Sequence, residues 1–245
     1  MAASPLDERY RMGLRIPLVR RRPSLQVQRQ LPVAKIDEWF HTAHRYELEG
    51  HGFEQVGRRR WIRSAKAPIR EGIQIHAIKG YSFMPVWFLS LDPVPHVTGT
   101  GQVKWHRTAA SARPDLLVDA FDEPDAYDVD GLVVSGMQTA AEAKEAIRGS
   151  TRLAVGYATS WFDRVSDLPS LISLYEEARS RPVVRFGVDN YTQHRLSFAF
   201  VLKAAGYDVL AVEEFDLWAE RCGREMPADA IAQLRGHLHA LPRAG

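Results

Sequence analysis

From Val33 onward, apolar residues recur every three to four positions: Ile36, Trp39, Phe40, Ala43, Tyr46 and Leu48. That spacing predicts an amphipathic helix, with Pro32 in its first turn and Gly50 and Gly52 at its stop. At Phe53 the period shortens to two. "FEQV" and "RRWIR" flank Gly57 and predict a hairpin. "EGIQIHAI" alternates, with Ile73, Ile75 and Ala77 on one side and Gln74 and His76 on the other. "PVWFLSLDP" is apolar on both sides except at Ser90, which predicts a central or helix-covered strand. "HVTGTGQ" is a loop by its Gly and Thr content, "QVKWHR" a further strand. Short strands are expected around Leu116–Val118 and Asp130–Val134.

After Ser135 the period returns to that of a helix. "MQTAAEAKEAIRGSTRLAVGYATSWFDRV" predicts one long helix, or two broken near Gly149. "DLPSLISLYEEARS" follows, with Asp167 as its N-cap. "RPVVRFGVDN" is extended or loop. Two more helices meet across Gly206, and "PADAIAQLRGHLHAL" makes the last. The order of helix, antiparallel strands and then helices predicts an α+β fold rather than alternating βα units. It consists of an N-terminal helix packed on a small antiparallel sheet, followed by a mostly helical C-terminal half. Residues 1–31 are expected to be a flexible Arg-rich tail. Residues 32–135 hold the helix and sheet, and 136–245 the helical part packed on that sheet as one unit.

Composition narrows the class. The chain has 245 residues, 45% of them hydrophobic, enough for a core without metal or disulfide staples. One cysteine, Cys222, excludes an internal disulfide. No signal-peptide core and no long apolar run stands out, so a cytoplasmic setting without membrane contact is expected. The net charge of +2 conceals a polarity. Residues 1–80 carry 16 Lys/Arg against 8 Asp/Glu, and residues 81–130 carry 3 against 8. Such asymmetry suits internal pairing or a polarised docking surface.

Candidate chemistry is sparse. His41 and His44 lie three apart on the first helix, with His51 beyond its end; a zinc site needs three or four convergent ligands, and the sequence supplies no complete set. Asp115 with Glu142 and Lys144 fits a loose nuclease pattern that holds Mg²⁺, although "AAEAKEAIR" favours helix over the strand such a site requires. "DAYDVDG" lacks the register of a calcium loop. No nucleophile elbow and no phosphate-cradling glycine loop is present. No cofactor is expected. The remaining feature is "HGFEQVGRRRWIR", His51 to Arg63. In a strand, Arg58 and Arg60 point one way with Ile62, and Arg59 and Arg63 the other way with Trp61. These four arginines and His76 are the candidate binding residues, toward an acidic partner or, as an alternative, nucleic acid. Trp61 and Phe53 are expected to pack on the Trp39/Phe40 helix.

The helix ending in "LEGHGF", the hairpin "GRRRWIR" and the strands "IQIHAIKG" and "VWFLSL" resemble a bacterial family of domains of unknown function. The matching positions are Gly52, Phe53, Gly57, Arg58 or Arg59, Trp61 and Gln74. "WFDRVSDLPSLISL", Trp161 to Leu174, resembles the family's C-terminal part. The resemblance spans about residues 35–180 and consists mostly of core and turn positions, so it implies a fold and no catalytic residue. In size and composition the family resembles immunity and accessory proteins of bacterial toxin or defence loci. The expected function is therefore non-catalytic protein binding. The alternatives are a metal-dependent hydrolase or nuclease around Asp115–Asp130, and nucleic-acid binding through the basic N-terminal third.

Overall fold

The computed structural model describes residues 31–48, 50–66, 68–78, 82–98, 101–119, 131–180, 194–222 and 226–243. The expected tail, most of the acidic run and the segment 181–193 lie outside them. Residues from Leu31 onward form one compact unit.

Helix α1 spans Val33–Leu48. Its buried stripe is Ile36, Phe40, His44 and Leu48, one residue every fourth position. Tyr46, expected on that stripe, is 74% exposed, and Trp39 is half-buried. Gly50, at φ 86°, takes the left-handed conformation that lets the chain leave the helix.

Strands β1 (Glu54–Gly57), β2 (Arg60–Lys66), β3 (Ile69–Ile78) and β4 (Ser82–Leu91) form a meander. β7 (Leu116–Asp119) pairs with β4, giving the antiparallel order β1-β2-β3-β4-β7. Gly57 ends β1, and the turn itself is Arg58–Arg59. Two three-residue strands, β5 (Pro95–Val97) and β6 (Val103–Trp105), make a separate hairpin. β5 therefore occupies a segment expected to be loop: backbone pairing to β6 overrides its composition. Around Val134 the expected strand is reduced to one bridge with Phe83.

Alternation sorts the sheet's side chains onto two faces. The inner face carries Trp61, Ile73, Ile75, Trp87 and Leu89 and joins the main core. The outer face carries Ile62, Val86, Phe88 and Leu117, covered by Ala109 and Ala112. β4 is thus buried on both sides, as its unbroken apolar run predicts.

Helix α2 (Ala140–Phe162) covers the inner face beside α1. Its Tyr157 ring lies parallel to Trp87, centroids 6.2 Å apart. It is one continuous helix. Thr139 Oγ1 accepts the Glu142 N–H at 3.2 Å, and the Glu142 carboxylate accepts the Thr139 N–H at 3.1 Å. Gly149 is exposed, so it costs only its weak propensity, about 1 kcal/mol, and does not break the buried stripe. Phe53, expected on α1, packs instead against Phe162 of α2, at 6.2 Å.

Helices α3 (Leu168–Ser180), α4 (His194–Ala204), α5 (Asp208–Cys222) and α6 (Ala228–Ala240) complete the α+β fold. Asp167 Oδ1 accepts the Ser170 N–H at 2.9 Å at the start of α3, as an N-cap should. Gly206, at φ 88°, turns the chain between α4 and α5. The helices hold the sheet's end through a polar pin. Ser197 Oγ donates to the Asp115 carbonyl at 2.9 Å, and the Tyr175 hydroxyl donates to Ser197 Oγ at 3.0 Å. Among the described residues, no helix is long and apolar enough to cross a membrane.

Candidate functional site

The hairpin arginines are held by this chain. Arg58 and Arg59 both pair with Asp37 of α1, whose side chain is only 8% exposed. Arg59 also lies over the Phe83 ring, 5.0 Å from its centroid. Arg63 pairs with the buried Glu71, donates to the His51 carbonyl at 3.2 Å and covers Phe53 at 4.9 Å. Among the described residues their partners are Asp37 and Glu71; residues 120–130 of the acidic run lie outside those residues. Alternation holds from Arg59 to Arg63. Arg58 escapes it because a turn residue is free to swing back to α1.

Arg60 takes the outer face with Ile62. Its Nε donates to Gln74 Oε1 at 2.8 Å and its Nη1 to the Ala112 carbonyl at 3.0 Å. Gln74 in turn contacts His76 Nε2. The sheet thus separates the five candidate binding residues. Arg60 and His76 share the outer face; Arg59 and Arg63 join the inner one, and Arg58 stands at the rim.

The Ala112 bond fastens the segment 106–113 across the outer face, and this brings in residues that spacing alone does not reveal. His106 lies 5.3 Å from His96 of β5, centroid to centroid. Arg113 donates its backbone N–H to Ser90 Oγ at 3.1 Å and leaves its side chain exposed. Burial, then the Arg113 charge, pushes the His96 pKa down to about 4. Burial, then Arg113, also lowers His106, and burial, then Arg60, lowers His76.

A second feature is a groove of about 630 Å³ between α1 and α2. Trp39, Ala43 and Tyr46 form its apolar wall. Lys144, Arg148 and Arg152, four residues apart on α2, line the other side. Lys144 sits over the Trp39 ring at 5.5 Å. Arg152 reaches Glu47 at 3.4 Å, and Arg148 reaches Glu145 at 3.6 Å. Both are long contacts of exposed arginines, of the kind that contribute little.

The nuclease constellation does not come together. The Glu142 carboxylate is engaged in the α2 capping box, and Lys144 faces Trp39. The Asp115 residue keeps some exposed surface, but its carboxyl is turned inside and accepts the Leu91 N–H at 2.7 Å. Burial raises its pKa well above the ordinary range. His44 is buried, its Nδ1 at 3.0 Å from the Phe40 carbonyl, whereas His41 is half-buried. Among the described residues, no three His, Cys, Asp or Glu side chains gather as metal ligands.

No known family model, curated protein or solved structure matches this chain. Its reading therefore rests on its own residues. Of the two features, the groove offers room for a macromolecular segment, and the outer-face cluster offers concentrated positive charge.

Proposed function

We propose that this chain is a non-catalytic protein-binding protein of the immunity or accessory type, and that it docks an acidic segment of its partner in the α1–α2 groove. The carrying observation is the cation stripe Lys144, Arg148 and Arg152 facing the aromatic wall of Trp39 and Tyr46. Aromatic and arginine side chains dominate the energetics of protein interfaces, and an amphipathic helix is the natural occupant of such a groove. The acidic lining, Glu38 and Glu47, is partly offset within the chain by Lys35 and Arg152.

A photo-crosslinking side chain at Tyr46 of the full chain, expressed in its native host, tests this reading. Capture of one partner through an Asp/Glu-rich segment is expected, and Lys144→Glu with Arg148→Glu should abolish it without lowering the melting temperature. A trapped segment that is not acidic, capture that survives the double reversal, or no capture at all rejects the docking site.

A further inference from the structure

Helix α5 turns an apolar and acidic stripe to solvent. Its inner face packs Ala211, Phe215 and Trp218 into the core. On the other side Leu210 and Leu217, seven residues apart, are 50% and 44% exposed. Val209 extends the patch at the start of the helix. Beside the leucines stand Glu213 and Glu220, also seven apart and both exposed. Neither has an ion-pair partner among the described residues, whereas Glu214 on the inner side is held by Arg179 and Arg195. Among the described residues six large apolar side chains are exposed. All but Val33 lie in the α1–α2 groove or on this stripe and the turn before it, so the apolar surface is concentrated in two patches.

The two patches are complementary. In the groove Trp39 and Tyr46 are seven residues apart, about 10.5 Å along α1, the same rise that separates Leu210 from Leu217 along α5. Lys144 and Arg152 are eight apart, about 12 Å along α2, against about 10.5 Å for Glu213 and Glu220. Long side chains span that difference. With the leucines on the aromatic wall, the two glutamates face the cation stripe of α2. Arg221, exposed on the far flank of the leucines, then falls toward Glu38 and Glu47 on the α1 side. Both patches are open in one chain, so the match is made between two chains.

We propose that α5 of one copy docks in the α1–α2 groove of another. This rests on the reading that the groove takes an acidic segment, and it names a second copy of this chain as a source of one. The two surfaces differ, so the contact is heterologous: copies add head to tail and close into a ring or grow as a chain. One helix in one groove lies at the small, transient end of interface sizes, and association therefore follows concentration. The ion pairs sit at the rim, where salt screens them. A foreign partner's acidic segment competes for the same groove, so dilution frees the groove for it.

Sedimentation velocity of the purified full-length protein over a concentration series tests this. Reversible association that weakens with added sodium chloride is expected. Two variants each remove one face: Arg148→Glu with Arg152→Glu for the groove, and Leu210→Gln with Leu217→Gln for the helix. Each alone should associate about tenfold or more weakly. Mixed in equal amounts, the two variants should form a 1:1 pair and nothing larger, because one intact groove then meets one intact helix. Recovery in the mixture also shows that both variants are folded. A protein that stays monomeric, association that survives either variant, or a mixture that gains nothing overturns the proposal. Self-docking alone is then lost if a crosslinker at Tyr46 still traps an acidic segment of another protein. Capture that survives Lys144→Glu with Arg148→Glu removes the groove reading and self-docking together.

Discussion

His44 lies face to face with Trp61, ring centroids 4.1 Å apart and planes 12° from parallel. The stack joins α1 to β2 in the centre of the inner face. Thr151 of α2 reaches the same imidazole at 3.3 Å. Three elements therefore meet on one neutral ring.

That neutrality makes stability depend on pH. Burial pushes the His44 pKa down from its ordinary 6.5 to about 4. Below pH 6.5 the unfolded chain takes up a proton that the folded chain refuses until about pH 4. The stabilising contribution is complete above 6.5 and is lost across this interval, about 3 kcal/mol in all. Urea unfolding between pH 7.5 and 4 should show this decline. His44→Leu should make it shallower; an unchanged slope would mean that the proton enters elsewhere.

Asp37 is the anchor for two hairpin arginines, and its replacement separates structural from docking roles. Asp37→Ala leaves Arg59 without its carboxylate in a mostly buried setting and should cost about 3 kcal/mol. That is roughly a 6–12 °C fall in melting temperature for a unit of this size. Arg58→Ala, at a side chain 65% exposed, should cost under about 1 kcal/mol. Calorimetry of the two variants checks the contrast.

Gly72 pairs with Phe88 across β3 and β4, and the Phe88 ring covers it. A Cβ at Gly72 would lie 2.2 Å from Phe88 Cζ, and Phe88 is fully buried. Gly72→Ala should destabilise by about 1–3 kcal/mol. Adding Phe88→Leu should recover part of that loss, since the two positions share one space. Strict additivity in thermal unfolding would show that the ring is not the obstacle.

Asp115 separates a structural acid from a catalytic one. Its folded pKa is raised by burial, so the folded chain holds a proton that the unfolded chain releases above about pH 3.8. Stability is therefore lost as pH climbs from 3.8 toward the folded value. Asp115→Asn keeps an acceptor for the Leu91 N–H and removes that cost. It should be more stable than the parent chain at pH 7 and no more stable near pH 3. A variant less stable at pH 7 would contradict this account.

The parts of the fold written in short-range pattern are legible in the sequence. Ile73 and Ile75 alternate with Gln74 and His76, and the structure keeps them on opposite faces. The helical turn at Gly206 was equally plain. Thr139 and Glu142 carry the spacing of a capping box, and that spacing alone would have supported one helix across Gly149. Long-range pairing was not legible. Nothing near Arg59 in the sequence names Asp37, 22 positions earlier, as its partner. The strand at His96 is three residues long, too short for periodicity to register against a Gly- and Thr-rich background, whereas its partner at Lys104 falls in the segment expected to be a strand. Arg60 meets the segment 106–113 through the backbone carbonyl of Ala112, and carbonyls leave no mark in a sequence.

The order of synthesis gives the sheet a vulnerable interval. β7 closes it at Asp119, whereas the helix that shields Ile73, Trp87 and Leu89 ends at Phe162. At about 5–20 residues per second, the roughly 40 residues between them take several seconds to emerge from a ribosome. Throughout that time an apolar plank of inner-face side chains stands open to other nascent chains. Translation pauses before α2 therefore favour aggregation, and pauses after it do not.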